Sequence, residues 1–153
     1  MRVALGSDHA GYDVKSLLAT TLADWGHEVL DFGTDSSTTS VDYPDFAAAA
    51  ARAVAAGNAD LGVVVCGSGI GVSIAANKVP GIRAALVHDV TSAHLAREHN
   101  HANVLCLGAR LIGESVAVEA LAAWLAAVPG EGRHLQRIVK LSALDAALTE
   151  RQP

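Results

Sequence analysis

The segment LGVVVCGSGIGVSIAANK, residues 61–78, joins three patterns with no spacer between them. A β-branched apolar run ends at Cys66, a loop of Gly67, Ser68, Gly69, Ile70 and Gly71 follows, and a small-residue run of helical character comes next. A continuous run such as Val63-Val64-Val65, without polar alternation, suits a strand buried on both faces, as in a parallel sheet covered by helices. A strand that feeds a glycine turn and then a helix aims backbone N–H groups and the positive helix end at one place. That place favours a bound anion or a developing oxyanion. Cys66 stands at its rim, where the same amides and dipole favour a thiolate. The segment reads as a reactive centre at the carboxyl end of a buried strand.

Working outward, short apolar runs at 2–6, 27–31, 61–66, 82–87 and 104–107 alternate with Ala- and Leu-rich helical stretches at 12–25, 45–56, 70–77, 91–99 and 114–127. Five strand–helix units in succession imply an α/β fold. The architecture expected is a three-layer αβα sandwich, a Rossmann-like five-stranded parallel sheet with right-handed crossovers placing helices on both faces. A C-terminal helix is expected after the breaker Val128-Pro129-Gly130, starting near Gly132, with Leu135, Ile138, Leu141, Leu144 and Leu148 as its apolar stripe. Residues 34–40, rich in Ser and Thr, read as an exposed loop. With neither linker nor repeat, residues 1–153 read as one domain.

Composition narrows the function. A chain of 153 residues can bury a sizeable core without disulfides or metal. Its 11 Lys and Arg against 16 Asp and Glu, a formal charge of −5, leave no general footprint for nucleic acid. Cys66 and Cys106 both belong to apolar runs, which favours reduced thiols over a disulfide. Cys106, between Leu105 and Leu107, reads as packing. MRVALGSDHAG turns polar too soon for a signal peptide. The apolar runs fall short of the roughly 18 residues of a membrane span. A soluble cytoplasmic protein acting on a small molecule, with no nucleic-acid or membrane partner, is expected.

In open α/β sheets ligands bind beyond the carboxyl ends of the strands. After the first strand come Ser7, Asp8, His9 and Gly11. The Cys66 loop follows the third strand, His88 and Asp89 the fourth, and Gly108 and Arg110 the fifth. An acid, imidazoles, a thiol, an anion loop and a guanidinium suffice for proton transfer on an anionic substrate.

Five ordered motifs sharpen this: GSDHAG at 6–11, DYPDFA at 42–47, CGSGIGVSIAANK at 66–78, REHNHANVLCLGAR at 97–110 and GEGRHLQR at 130–137. Together they resemble the type-B ribose-5-phosphate isomerase family, which includes allose- and galactose-phosphate isomerases, over almost the whole chain. The resemblance implies interconversion of an aldose phosphate and a ketose phosphate with no metal and no organic cofactor. It implies Cys66 as the base and Gly67, Ser68, Gly69, Ile70 and Gly71 as the loop facing the enediolate. His99 corresponds to the ring-opening acid, and Asp8, His9, Tyr43 and Asn100 to substrate contacts. Arg110, Arg133 and Arg137 correspond to the clamp on the phosphate. A homodimer or dimer of dimers with sites drawn from two chains is also implied. Some members carry a carboxylate base after the loop and lack the cysteine; here that position is Val72, so the thiolate version matches. Ser68 replaces the Thr of many cysteine members and keeps the hydroxyl.

The chemistry asks for these residue types independently. Removing a proton beside a carbonyl makes an enediolate that needs preorganised donors, and glycines let amides approach it. A cyclic sugar needs an acid–base group for ring opening, within reach of histidine. Arg133 and Arg137, four residues apart, share one helix face and suit a phosphate clamp. Each signal has a plainer counterpart. Asp8 and His9 could cap the first helix, Arg133, Arg137 and Lys140 could form a solvated face, and Arg110 could pair with Glu114. His94, His99 and His101 are spaced too loosely for a strong metal motif. His27, His88 and His134 receive no firm assignment.

Two other functional classes compete. A nucleotide-binding module would explain GSGIG and Asp89, yet its third glycine falls at Val72, and Lys78 follows Asn77 where a P-loop needs Gly. A catalytically silent subunit on the same fold is the other. Pentose and hexose phosphates remain alternative substrates, allose 6-phosphate among them. His99, Asn100 and Arg110, in the fourth and fifth units, are expected to lie far from Asp8 and Cys66, so one site would need two chains.

Overall fold

Strands β1 (Arg2–Ser7), β2 (Glu28–Asp31), β3 (Leu61–Cys66), β4 (Ala84–Leu86) and β5 (Val104–Gly108) form one parallel sheet in the order β2-β1-β3-β5-β4. The computed structural model describes residues 1–149, with side chains to residue 145. The helices are α1 (Tyr12–Asp24), α2 (Tyr43–Ala55), α3 (Ile70–Ala76), α4 (Val90–Asn100), α5 (Glu114–Ala126) and α6 (Arg133–Thr149). The α/β architecture is the one expected from the sequence. The strand order is more particular: the connection through α3 carries the chain past the place that β5 later fills.

The alternation of side chains along each strand divides the core. Val3, Leu5, Val63, Val65, Leu105 and Leu107 meet Leu18, Leu22, Leu121 and Trp124 under α1, α4 and α5. Ala4, Val64, Cys66, Val104 and Cys106 meet the alanines of α2 and Val72 and Ala76 of α3 on the other face. Every residue of β3 is buried, as its continuous apolar run requires. Each fully buried Val or Leu contributes about 1.5–3 kcal/mol. In register, Ser7 lies opposite Val65, and Cys66 opposite Gly108.

Several boundaries differ from the sequence reading for local reasons. Strand β4 begins at Ala84 because the Arg83 N–H donates to Asn103 Oδ1 (2.8 Å) and the Ile82 N–H to the Val79 carbonyl (3.1 Å). Helix α2 starts two residues early, at Tyr43, since Pro44 occupies the first turn, where its missing N–H costs nothing. Thr34 is buried at the start of an otherwise largely exposed loop. Along α6 only Ile138 of the stripe's described side chains is buried; Leu135, Leu141 and Leu144 are exposed, and the Leu148 side chain lies outside the described residues. No helix among the described residues is long and apolar enough to cross a membrane.

Candidate active site

Beyond the carboxyl ends of β1, β3 and β5 opens a cavity of about 400 Å³ whose lining includes Asp8, His9, Tyr43, Cys66, Gly67, Ser68, Gly71 and Arg110. Cys66 is 4% exposed, and its Sγ accepts the Gly69 N–H at 3.2 Å. Gly69 is held at φ 76°, and a Cβ there would stand 2.5 Å from Leu86 Cδ1 and 2.8 Å from the Leu107 carbonyl carbon. No other residue fits this corner without displacing β5. The Ile70 N–H donates to Ser68 Oγ at 3.3 Å. Two loop amides are thus used within the loop, one on the thiol itself, and the anion-facing donors are fewer than the glycine pattern suggests. Ile70 is in the loop, but its side chain is exposed and lies outside the cavity lining.

Arg110 corrects the sequence reading, which grouped it with the distant residues. Because β5 pairs directly with β3, the residues after β5 run beside the Cys66 loop: the Ala109 N–H donates to the Cys66 carbonyl and the Arg110 N–H to that of Gly67, each at 2.9 Å. The guanidinium lies over Gly67, where a Cβ would approach its Nη1 to 3.4 Å. No ion pair with Glu114 occurs among the described residues.

Asp8 serves as a cap and as cavity wall together. Its Oδ1 accepts the Gly11 N–H at 3.0 Å, closing the 3₁₀ turn His9–Gly11 that leads into α1. His9 Nδ1 accepts the Val41 N–H at 3.3 Å. The Tyr43 ring covers Gly71, where a Cβ would fall 2.6 Å from Cζ.

His99, Asn100, Arg133 and Arg137 are elsewhere. Helix α4 starts at the carboxyl edge, capped by Asp89, and runs back across the sheet through eleven residues, about 16 Å. Its last residues reach the entrance to β4, where Arg83 Nε donates to the Asn100 carbonyl at 3.1 Å. His99 stacks on His134, with ring centroids 4.4 Å apart and planes 16° from parallel. Its Nε2 is 3.7 Å from Glu98 Oε2. Arg133 and Arg137 are exposed on the first turns of α6 beside this pair. Desolvation first, then the charges of His99, Arg133 and Arg137, hold His134 below the usual imidazole range, with Glu98 opposing. The sequence reading missed His134 as the partner of His99, and no spacing rule connects the two. Asn100 lines a second cavity of about 340 Å³ that includes Arg83 and Leu141.

The remaining alternatives find little purchase. Asp89 accepts the Ser92 N–H at 2.8 Å as the α4 cap, and that bond, foremost, holds its carboxyl below the usual carboxylate range. Val72 is fully buried where a dinucleotide loop has its third glycine. His94 pairs with Glu98 at 3.2 Å and His101 Nε2 with the Gly130 carbonyl at 2.7 Å. No three acids, imidazoles or thiols among the described residues are grouped to hold a metal ion.

Residues 3–141 match the sequence model of the Ribose/Galactose Isomerase family. The chain is 44% identical over 144 residues to ribose-5-phosphate isomerase B of Escherichia coli (strain K12), covering 94% of this chain and 96% of that protein. Ribose-5-phosphate isomerase B of Clostridium thermocellum superposes with a TM-score of 0.94 at 47% identity, over 97% of this chain and 99% of that one. The Mycoplasma genitalium enzyme of the same name, solved with bound ribulose 5-phosphate, gives a TM-score of 0.91 at 38% identity, over 95% and 96% of the two chains.

Proposed function

The chain belongs to the ribose/galactose isomerase family, as an aldose–ketose isomerase of the type-B ribose-5-phosphate isomerase kind, and from that premise we propose that it interconverts ribose 5-phosphate and ribulose 5-phosphate through an enediolate, in pentose phosphate metabolism. Cys66, as thiolate, takes the proton from C2 of the open-chain aldose. The electron pair moves into the C1 carbonyl, and the resulting enediolate lies against the glycine loop. The thiol returns the proton to C1 while a hydroxyl proton passes from O2 to O1, leaving the ketose. The observation that carries this reading is the cavity in which Cys66, held by the Gly69 amide, shares its walls with Asp8, His9, Tyr43 and Arg110. That combination supplies a carbon-acid base, hydroxyl contacts and an anion-binding cation. The M. genitalium relative with bound ribulose 5-phosphate supports this choice of substrate.

A second copy completes the site in this reading. His99 as ring-opening acid, Asn100 as sugar contact, and Arg133 and Arg137 as phosphate ligands stand at the opposite edge of their own sheet, about 16 Å away along β5. A two-fold dimer brings that edge of one subunit over the Cys66 cavity of its partner and makes two equal sites. The exposed Leu135, Leu144, Ile70 and Ile74 give such a dimer apolar surface to cover.

The deciding experiment measures turnover of ribose 5-phosphate, allose 6-phosphate and galactose 6-phosphate by protein dialysed against chelator, alongside titration with nucleotides. Ribose 5-phosphate turnover without nucleotide binding is expected. Preference for a hexose phosphate moves the substrate within the family, and a folded protein inactive on all three sugars overturns the isomerase reading.

A further inference from the structure

Lys15 occupies a position on α1 where an apolar residue is expected. It is 3% exposed and lies among Val14, Leu18 and Leu22 on the helix's buried side. Its Nζ donates to Asp31 Oδ2 at 2.7 Å and to the Thr34 carbonyl at 2.9 Å, and stands 5.2 Å from the centre of the Tyr12 ring. Burying an ammonium costs more than burying a hydrocarbon of the same size, and a well-packed apolar side chain is often the more stable choice. What the lysine adds is reach, from α1 to the chain leaving β2. Gly33 is pressed against it: a Cβ at Gly33 would fall 2.7 Å from Lys15 Cδ and 2.8 Å from the Ser7 amide nitrogen.

The segment that starts at this lysine ends at the cavity. At its start the Thr34 N–H donates to the Ser7 carbonyl at 3.0 Å, one residue before Asp8. At its far end the Val41 N–H donates to His9 Nδ1, and two residues later Tyr43 opens α2 with its ring over Gly71. Between these points the chain is largely exposed, and Ser36 bonds with Thr38 and Thr39 inside the loop itself. Among the described residues, the hydrogen bonds that tie this segment to the rest of the chain lie at its two ends.

We propose that Lys15 is a positioning residue of the active site, whose ammonium, tied to Asp31 and the Thr34 carbonyl, sets the path of residues 34–42 and through it the places of His9 and Tyr43. This rests on the reading of His9 and Tyr43 as substrate contacts. Cys66 is held by β3 and Gly69, independently of this segment, so loosening the loop weakens substrate binding and leaves the proton-transfer step largely intact.

The test compares Lys15→Met with the wild type in steady-state kinetics on ribose 5-phosphate and in amide hydrogen exchange read by mass spectrometry. The expected result is a KM raised about tenfold with kcat within about threefold, and faster exchange confined to residues 34–42 while 61–76 keep their protection. A mere loss of folded protein lowers apparent kcat, leaves KM in place and speeds exchange everywhere; that result, or unchanged KM with unchanged exchange in 34–42, overturns the proposal. Asp31→Asn keeps the Gly33 N–H bond to Oδ1 (2.8 Å) and puts an amide NH2, a donor, where Oδ2 accepts from Lys15, so it removes both the charge and the hydrogen bond on that side of the ammonium while the bond to the Thr34 carbonyl stays. It shifts KM the same way to a smaller extent, and it decides the matter alone if Lys15→Met does not fold. A wild type without turnover on any sugar phosphate defeats the isomerase reading instead, and the exchange pattern then decides the role of Lys15 in placing the loop.

Discussion

The backbone N–H of Gly69 donates to Cys66 Sγ at 3.2 Å, so the sulfur's position at the cavity is set by a residue that only a left-handed backbone can place there. Cys66→Ala removes the proposed base and leaves the Asp8, His9 and Arg110 side chains of the cavity in place. The expected loss in kcat is about 10²–10⁴-fold, the usual contribution of a positioned general base, with the dissociation constant for ribose 5-phosphate little changed. Iodoacetamide should inactivate the wild type, and ribose 5-phosphate should slow that reaction. An alanine variant that isomerises at close to the wild-type rate removes Cys66 from the mechanism.

The arginines test whether the anion is gripped from both edges. Arg110 lies over Gly67 within the Cys66 cavity, whereas Arg137 stands on α6 beside the His99–His134 stack. Replacing either by Ala should cost about 1.5–3 kcal/mol of binding, the worth of a charge-assisted hydrogen bond, and so raise KM about tenfold to a hundredfold. Inorganic phosphate as a competitive inhibitor should weaken in parallel. If Arg137→Ala leaves both constants unchanged, the arginines of α6 form a solvated face and the clamp is Arg110 alone.

Cys106 gives a stability prediction. It is fully buried, and burial foremost, with neighbouring Cys66 contributing less, pushes its thiol above the ordinary value of 9.0. Above about pH 9 the unfolded chain releases this proton while the folded chain keeps it. The folded state then holds more protons, so stability is fully present below that pH and is lost as pH rises through it. The stability gap between wild type and Cys106→Ala, measured by urea denaturation, should narrow by about 1.4 kcal/mol between pH 7 and pH 10. A gap that stays constant means that Cys106 ionises as readily in the folded protein as in the unfolded one.

Arg110 also shows how far the sequence could be read. The continuous apolar run of β3 and the glycine turn after it were legible because burial on both faces and a tight turn each leave a compositional mark. Strand order leaves none. Counting units put Arg110 far from Cys66, whereas the direct pairing of β3 with β5 makes them neighbours. The stack of His99 on His134 was invisible for a related reason, since it depends on how α6 returns across α4. The stripe of α6 was read correctly as apolar, but periodicity does not say what covers a face, and its own chain buries only Ile138 among the described members. Lys15 stood out least, because a single lysine in a helix normally marks the solvent side.

The separation of Cys66 from His99 across the sheet leads to the sharpest prediction. On the proposed roles, Cys66→Ala and His99→Ala subunits should each be nearly inactive on the cyclic sugar, the first lacking the base and the second the ring-opening acid. His99→Ala should lose less on an open-chain substrate, which needs no ring opening. If each site takes Cys66 from one chain and His99 from its two-fold partner, a mixed dimer holds one site with both wild-type groups and one with neither. Random exchange of equal amounts makes about half the dimers mixed, and one intact site in two then gives about one quarter of wild-type activity. Subunit exchange should be followed independently, with two differently labelled preparations. Exchange without recovery of activity means that both groups serve one site from a single chain, which would require α4 to end far from where it lies in the present structure.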